Sequence, residues 1–108
     1  MKFFGQYDAV LCPVYTKPAL KHGDSVKRGN FEGFSYTMAW NVAGFPAATV
    51  PCGHCEGLPV GVQVVARPWQ ELTALRVCRF IEKEFGGWRL PPPVGCLEPG
   101  QANSVFAD

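Results

Sequence analysis

The chain has 108 residues, 47% hydrophobic and 18% charged, a balance that belongs to a folded globular domain rather than a disordered segment. Ten basic against nine acidic residues leave a formal charge of +1. That leaves no field to gather nucleic acid or anionic lipid. No apolar run approaches the roughly 20 residues that span a bilayer.

Met1-Lys2-Phe3-Phe4-Gly5 lacks the apolar core and small-residue cleavage site of a signal peptide. Five cysteines without such a signal indicate reduced thiols, so a cytoplasmic setting is expected. Neither a membrane nor a nucleic acid is expected as a partner.

In chain order, Phe3-Phe4 reads as the tail of a helix. Ala9-Val10-Leu11-Cys12, an unbroken apolar run stopped by Pro13, predicts a strand buried on both faces. Tyr15 to Gly33 contains Pro18, Gly23, Gly29 and Gly33 among scattered lysines and reads as a long polar loop with a solvated basic face. Ser35 to Ala43 suits a short helix with Ser35 as N-cap, Gly44 beyond its end and Pro46 preventing continuation. Because this helix is apolar on nearly every side, it is expected to be covered all round. Its exceptions, Thr37 and Asn41, are one turn apart on one face. They read either as a structurally satisfied polar pair or as the polar wall of a substrate pocket, and are the candidate substrate-binding residues.

Ala47–Pro51 and Val60–Ala66 predict two strands, with Val60, Val62 and Val64 on one face and Gly61, Gln63 and Val65 on the other. The eight residues from Cys52 to Pro59 are too few for a parallel crossover, so the pair is expected to be antiparallel. Gln63 reads as a satisfied sheet residue. Glu71 to Phe85 is the clearest helix, with Ala74, Cys78, Ile81 and Phe85 on its core stripe, flanked by Val77 and Leu75. Arg76, Arg79 and Lys83 lie opposite, a basic face read as solvated. After Leu90 come three prolines and a tail expected to be poorly ordered.

Two further motifs are weighed. Cys52-Gly53-His54-Cys55 matches the redox pair of disulfide isomerases, but that chemistry needs a helix starting at the first cysteine. Gly57 and Pro59 follow instead, so the motif reads as a loop tip between strands. A structural zinc site needs four ligands, usually two paired knuckles, and no second pair is present. No metal or organic cofactor is expected. No Ser lies in a nucleophile elbow, and no phosphate-binding loop occurs.

An apolar strand and an apolar helix, with one long helix to cover them, leave surface unburied. The expectation is a chain that is part of a larger α/β domain. The segments YDAVLCPV, YTMAWNVAGFPAATVPCG and GLPVGVQVVARPWQELTALRVCRFIE, in that order and spacing, resemble the C-terminal part of amidase signature enzymes. That resemblance covers about residues 7 to 85.

It implies an α/β fold: a partial mixed β-sheet with covering helices, the C-terminal piece of an α/β/α sandwich. Residues 1–90 would form that piece and 91–108 the tail. It also implies cofactor-free cleavage of a carboxamide by an activated serine, the acyl group passing through the enzyme. The family's catalytic Lys and Gly/Ser-rich signature precede the region matched here. The resemblance therefore assigns no catalytic residue to this chain, and the chain alone is expected to be an inactive, truncated amidase.

A small amide would be the substrate only of the complete enzyme, and the missing N-terminal amidase part is the expected partner. The alternatives are a non-catalytic fragment docking on another chain through its uncovered sheet, and a thiol redox module at Cys52 and Cys55.

Overall fold

The computed structural model describes residues 3–91. The proline run beyond Pro91 and the tail expected to be poorly ordered lie outside the described residues.

Three strands form one antiparallel sheet: β1 (Ala9–Pro13), β2 (Ala47–Cys55) and β3 (Leu58–Ala66), in the order β1-β3-β2. β3, with Val60, Val62 and Val64 alternating along it, is the central strand and pairs on both edges. Val10 lies opposite Val65 on one side, and Val50 opposite Val62 on the other. The antiparallel expectation for the last two strands holds.

The hairpin is longer than the sequence indicates. β2 runs on through the whole Cys52–Cys55 motif, and only Glu56 and Gly57 form the turn. Both adopt positive φ, 54° and 75°, as a two-residue turn matched to strand twist requires. The register slips between Pro51 and Gly53, so Cys52 is the extra residue of a bulge. Pro51 cannot donate to a ladder, which accounts for irregular pairing there.

α2 (Glu71–Phe85) lies against one sheet face and begins and ends where its punctuation predicts. Val50, Val64, Ala66, Ala74 and Cys78 form the buried core, with Ala48, Val62, Val77 and Ile81 packed around it. Gly86, at φ 81°, closes the helix in the left-handed conformation. Phe85 and Leu75, assigned to the core stripe and its flank, are instead 59% and 55% exposed. Neither joins the cluster through which α2 packs on the sheet.

α1 (Ser35–Ala43) differs more from expectation. A 3-10 turn over Phe31–Phe34 runs straight into it, so Ser35 is the first helical residue and not the cap. Phe34 takes the cap position with no side-chain bond. Gly44 ends the helix at φ 70°, as the sequence indicates.

None of α1 is buried, and Val42 is 88% exposed. Likewise Leu11, in a strand expected to be covered on both faces, is 57% exposed. The physical reasons differ. Leu11 pairs with Val64 on the α2 side, but α2 lies over β2 and β3 and scarcely reaches the edge strand β1. The opposite face buries Gln63 and Val65, with α1 tied across it through Tyr36, and it is the outer side of α1 that has no cover among the described residues.

Phe3–Gly5 forms a 3-10 turn, in keeping with its reading as a helix end. Phe4 is buried there and stacks on Phe45.

Candidate functional site

The sheet face opposite α2 carries the polar chemistry. Gln63, the one buried polar side chain among the described residues, projects from β3 on this side. Its Nε2 donates to the Tyr36 backbone carbonyl at 3.0 Å and to Cys12 Sγ at 3.1 Å. One amide thereby ties together the central strand, an edge strand and the first turn of α1. Gln63 is a satisfied structural residue, as read from the sequence.

Beside it, the Tyr15–Asn30 excursion folds back over the β2–β3 hairpin. Asn30 organises the loop: its backbone carbonyl accepts from the Tyr15 hydroxyl, its Oδ1 accepts from Lys17, and its Nδ2 donates to the Asp24 carbonyl. The Tyr15 ring packs on Phe34 and lies so close against Gly33 that a Cβ on Gly33 would overlap the ring. Sequence reasoning missed both Tyr15 and Asn30. Gly33 marks a loop end and gives no sign that an aromatic ring occupies its side-chain space.

Between this loop and the hairpin opens a cavity of about 550 Å3, within the usual range for small-molecule sites. Tyr15, Leu20, Phe34, Val60 and Gly61 form much of its apolar lining, and Lys17 brings the one formal positive charge.

Thr37 and Asn41 do not border this cavity. Thr37 is half-buried and its hydroxyl donates to the Phe34 carbonyl at 3.0 Å, closing the junction between the 3-10 turn and α1. Asn41 is exposed one turn further on.

The C-x-x-C motif sits on β2 and not at a helix start: Cys52 is half-buried in the bulge and Cys55 is exposed near the turn. The helix N-terminus that activates such a pair is absent from this place. Cys12, Cys52, Cys55 and Cys78 are all free thiols. Among the described residues, no three His, Cys, Asp or Glu side chains cluster to hold a metal ion. Cys78 is the one ionisable group among them with a clear shift. Burial in the core pushes its thiol pKa up, and the Glu82 carboxylate adds to the effect.

The chain is thus a piece of α/β protein, with α2 on one sheet face and, on the other, α1 and a loop that roofs a cavity. The family model described as Amidase matches residues 1–75, and the chain belongs to the amidase family.

Among curated relatives, the A chain of the Myxococcus xanthus glutamyl-tRNA(Gln) amidotransferase is 39% identical, over 84% of this chain and 19% of that protein. The fatty-acid amide hydrolase 2-A of Danio rerio is 48% identical, over 54% of this chain and 11% of that protein. The crystal structure of the corresponding glutamyl-tRNA(Gln) amidotransferase chain from Thermotoga maritima superposes with a TM-score of 0.75 at 36% identity. That match covers 83% of this chain and 21% of the other. The chain therefore spans about a fifth of the length of these amidotransferase chains.

Proposed function

We propose that this chain is the C-terminal portion of an amidase that cleaves a carboxamide C–N bond by serine-based acyl transfer. In this reading it supplies sheet, covering helix and part of the substrate pocket, and carries no catalytic residue of its own. The observation that carries the reading is the fit of its α/β unit to a fifth of a glutamyl-tRNA(Gln) amidotransferase chain, with apolar side chains of α1 and β1 left exposed. Val42 on α1 and Leu11 on the edge strand β1 are exposed apolar side chains that a covering portion would bury.

Thr37 and Asn41 belong to this proposal as a wall of the acyl pocket. Asn41, exposed on α1, is the group with polar atoms left to offer a substrate. The partner is the polypeptide carrying the family's Lys and Gly/Ser-rich signature. The setting is a reducing compartment such as the cytoplasm, in keeping with the free thiols of Cys12, Cys52, Cys55 and Cys78 among the described residues.

The test is co-expression with a polypeptide carrying that signature, followed by purification through a tag on this chain. Co-purification with amide hydrolysis supports the reading. Co-purification without hydrolysis would favour the second reading, a non-catalytic fragment that docks on another chain. The redox reading at Cys52 and Cys55 would require insulin reduction that is lost on Cys52→Ala.

A further inference from the structure

The outward face of α2 is unexplained by the amidase reading, because α2 already packs its inner stripe on the sheet. Two rows at one-turn spacing cross that outer face: Leu72-Arg76-Phe80 and Leu75-Arg79-Lys83. Leu72 is 68% exposed and Phe80 72%. The three cations are exposed, and neither described ion pair, Lys27–Asp24 or Arg67–Asp8, involves them. Glu71 and Glu82 lie on one flank of the cationic stripe and Glu84 on the other, so the middle of the face is purely basic and apolar.

The helix is also bracketed by exposed indoles. Trp69, just before it, is 88% exposed and held at φ 65°, a conformation bulky residues rarely adopt. Trp88, just after it, is 69% exposed.

We propose that this face of α2 docks on an anionic phospholipid surface, the helix lying flat with Arg76, Arg79 and Lys83 against the headgroups. Three features favour lipid over an acidic protein. Cations and large apolar groups alternate along one line, as at a headgroup–acyl boundary. Tryptophans stand at both ends, and indoles partition to that boundary. The face is a single convex helix with no described cavity, since the cavity borders the loop and hairpin.

The net charge of +1 gives no attraction at long range, so contact depends on this local stripe within about a Debye length, roughly 10 Å at moderate salt. No helix among the described residues is long and apolar enough to cross a membrane, so the association is peripheral.

The test is flotation of the 108-residue chain with phosphatidylcholine vesicles, with and without phosphatidylserine, at low and high salt. The chain is expected to float with the phosphatidylserine vesicles at low salt and to be released at high salt. The triple variant Arg76→Gln, Arg79→Gln, Lys83→Gln keeps good helix formers at exposed positions and is expected to bind at least about tenfold more weakly. The control Lys21→Gln, Lys27→Gln, Arg28→Gln, which removes the same charge from the loop, is expected to bind as the parent does.

Equal flotation with phosphatidylcholine alone would assign binding to exposed apolar side chains and not to the cationic stripe, and would overturn the proposal. So would equal losses in the two triple variants, or no flotation at all. Retention on immobilised poly-glutamate without flotation would also overturn it, assigning the stripe to an acidic protein.

Discussion

Gln63 on β3 holds the Tyr36 carbonyl of α1 at 3.0 Å, across the sheet face that points away from α2. Few other contacts fix α1, since none of its residues is buried. Replacing the amide by a similar apolar group, Gln63→Leu, removes the link to both Tyr36 and Cys12. The expected cost is about 1–2 kcal/mol, read by chemical denaturation. Gln63→Glu should cost more, because it places a carboxylate where 4% of the residue is exposed, facing a carbonyl oxygen.

Gly33→Ala should be destabilising although the substitution is small. The new methyl runs into the Tyr15 ring, and the ring is held by Phe34 and by its hydroxyl on Asn30. Overpacking of this kind costs roughly 1–3 kcal/mol. In a Tyr15→Leu background the penalty should fall by about 0.5 kcal/mol or more, a coupling that a double-mutant cycle measures directly.

The hairpin turn offers a gain. Glu56 sits at φ 54°, a left-handed conformation that a glutamate side chain disfavours and asparagine tolerates. Glu56→Asn creates the Asn-Gly pair suited to this turn, and thermal denaturation should show stabilisation of about 0.5–1 kcal/mol.

The extent of the fold visible in the sequence follows from where the interactions are local. α2 is legible to the residue because its stripe, Ala74-Cys78-Ile81, and its closing glycines lie within one stretch of chain. The alternation of Val60, Val62 and Val64 likewise reads directly as a two-faced strand. The hairpin's true length escapes detection because Cys52-Gly53-His54-Cys55 has weak strand character and pairs only through a bulge. The burial expected for α1 and β1 fails for a different reason. Apolar composition records what a segment is built to pack against, and the described residues do not contain it. For the site, Thr37 and Asn41 stand out as polar residues in an apolar helix. Tyr15, Asn30 and the cavity they shape depend on contacts 15 residues apart, which no local pattern signals.

Cys78 gives a pH dependence. Its thiol titrates above the ordinary thiol range when folded, first because the core desolvates it and second because Glu82 is near. The neutral thiol is therefore the form that folding favours. Its contribution is fully present below the pKa of the unfolded thiol and is lost as pH rises through the raised folded value. Unfolding free energy should decline over that alkaline interval, and Cys78→Ala should remove this part of the decline at a cost of about 1 kcal/mol for lost packing. A thiol reagent at neutral pH should modify the exposed Cys55 well before Cys78.

The central claim is that this chain completes a serine amidase without supplying its nucleophile. A serine-reactive fluorophosphonate probe tests it, applied to the chain alone and to the chain co-purified with a polypeptide carrying the Gly/Ser-rich signature. The account predicts no label on this chain in either sample and label on the partner in the second. Stoichiometric labelling of this chain itself, at Ser25, Ser35 or Ser104, its only serines, would contradict it.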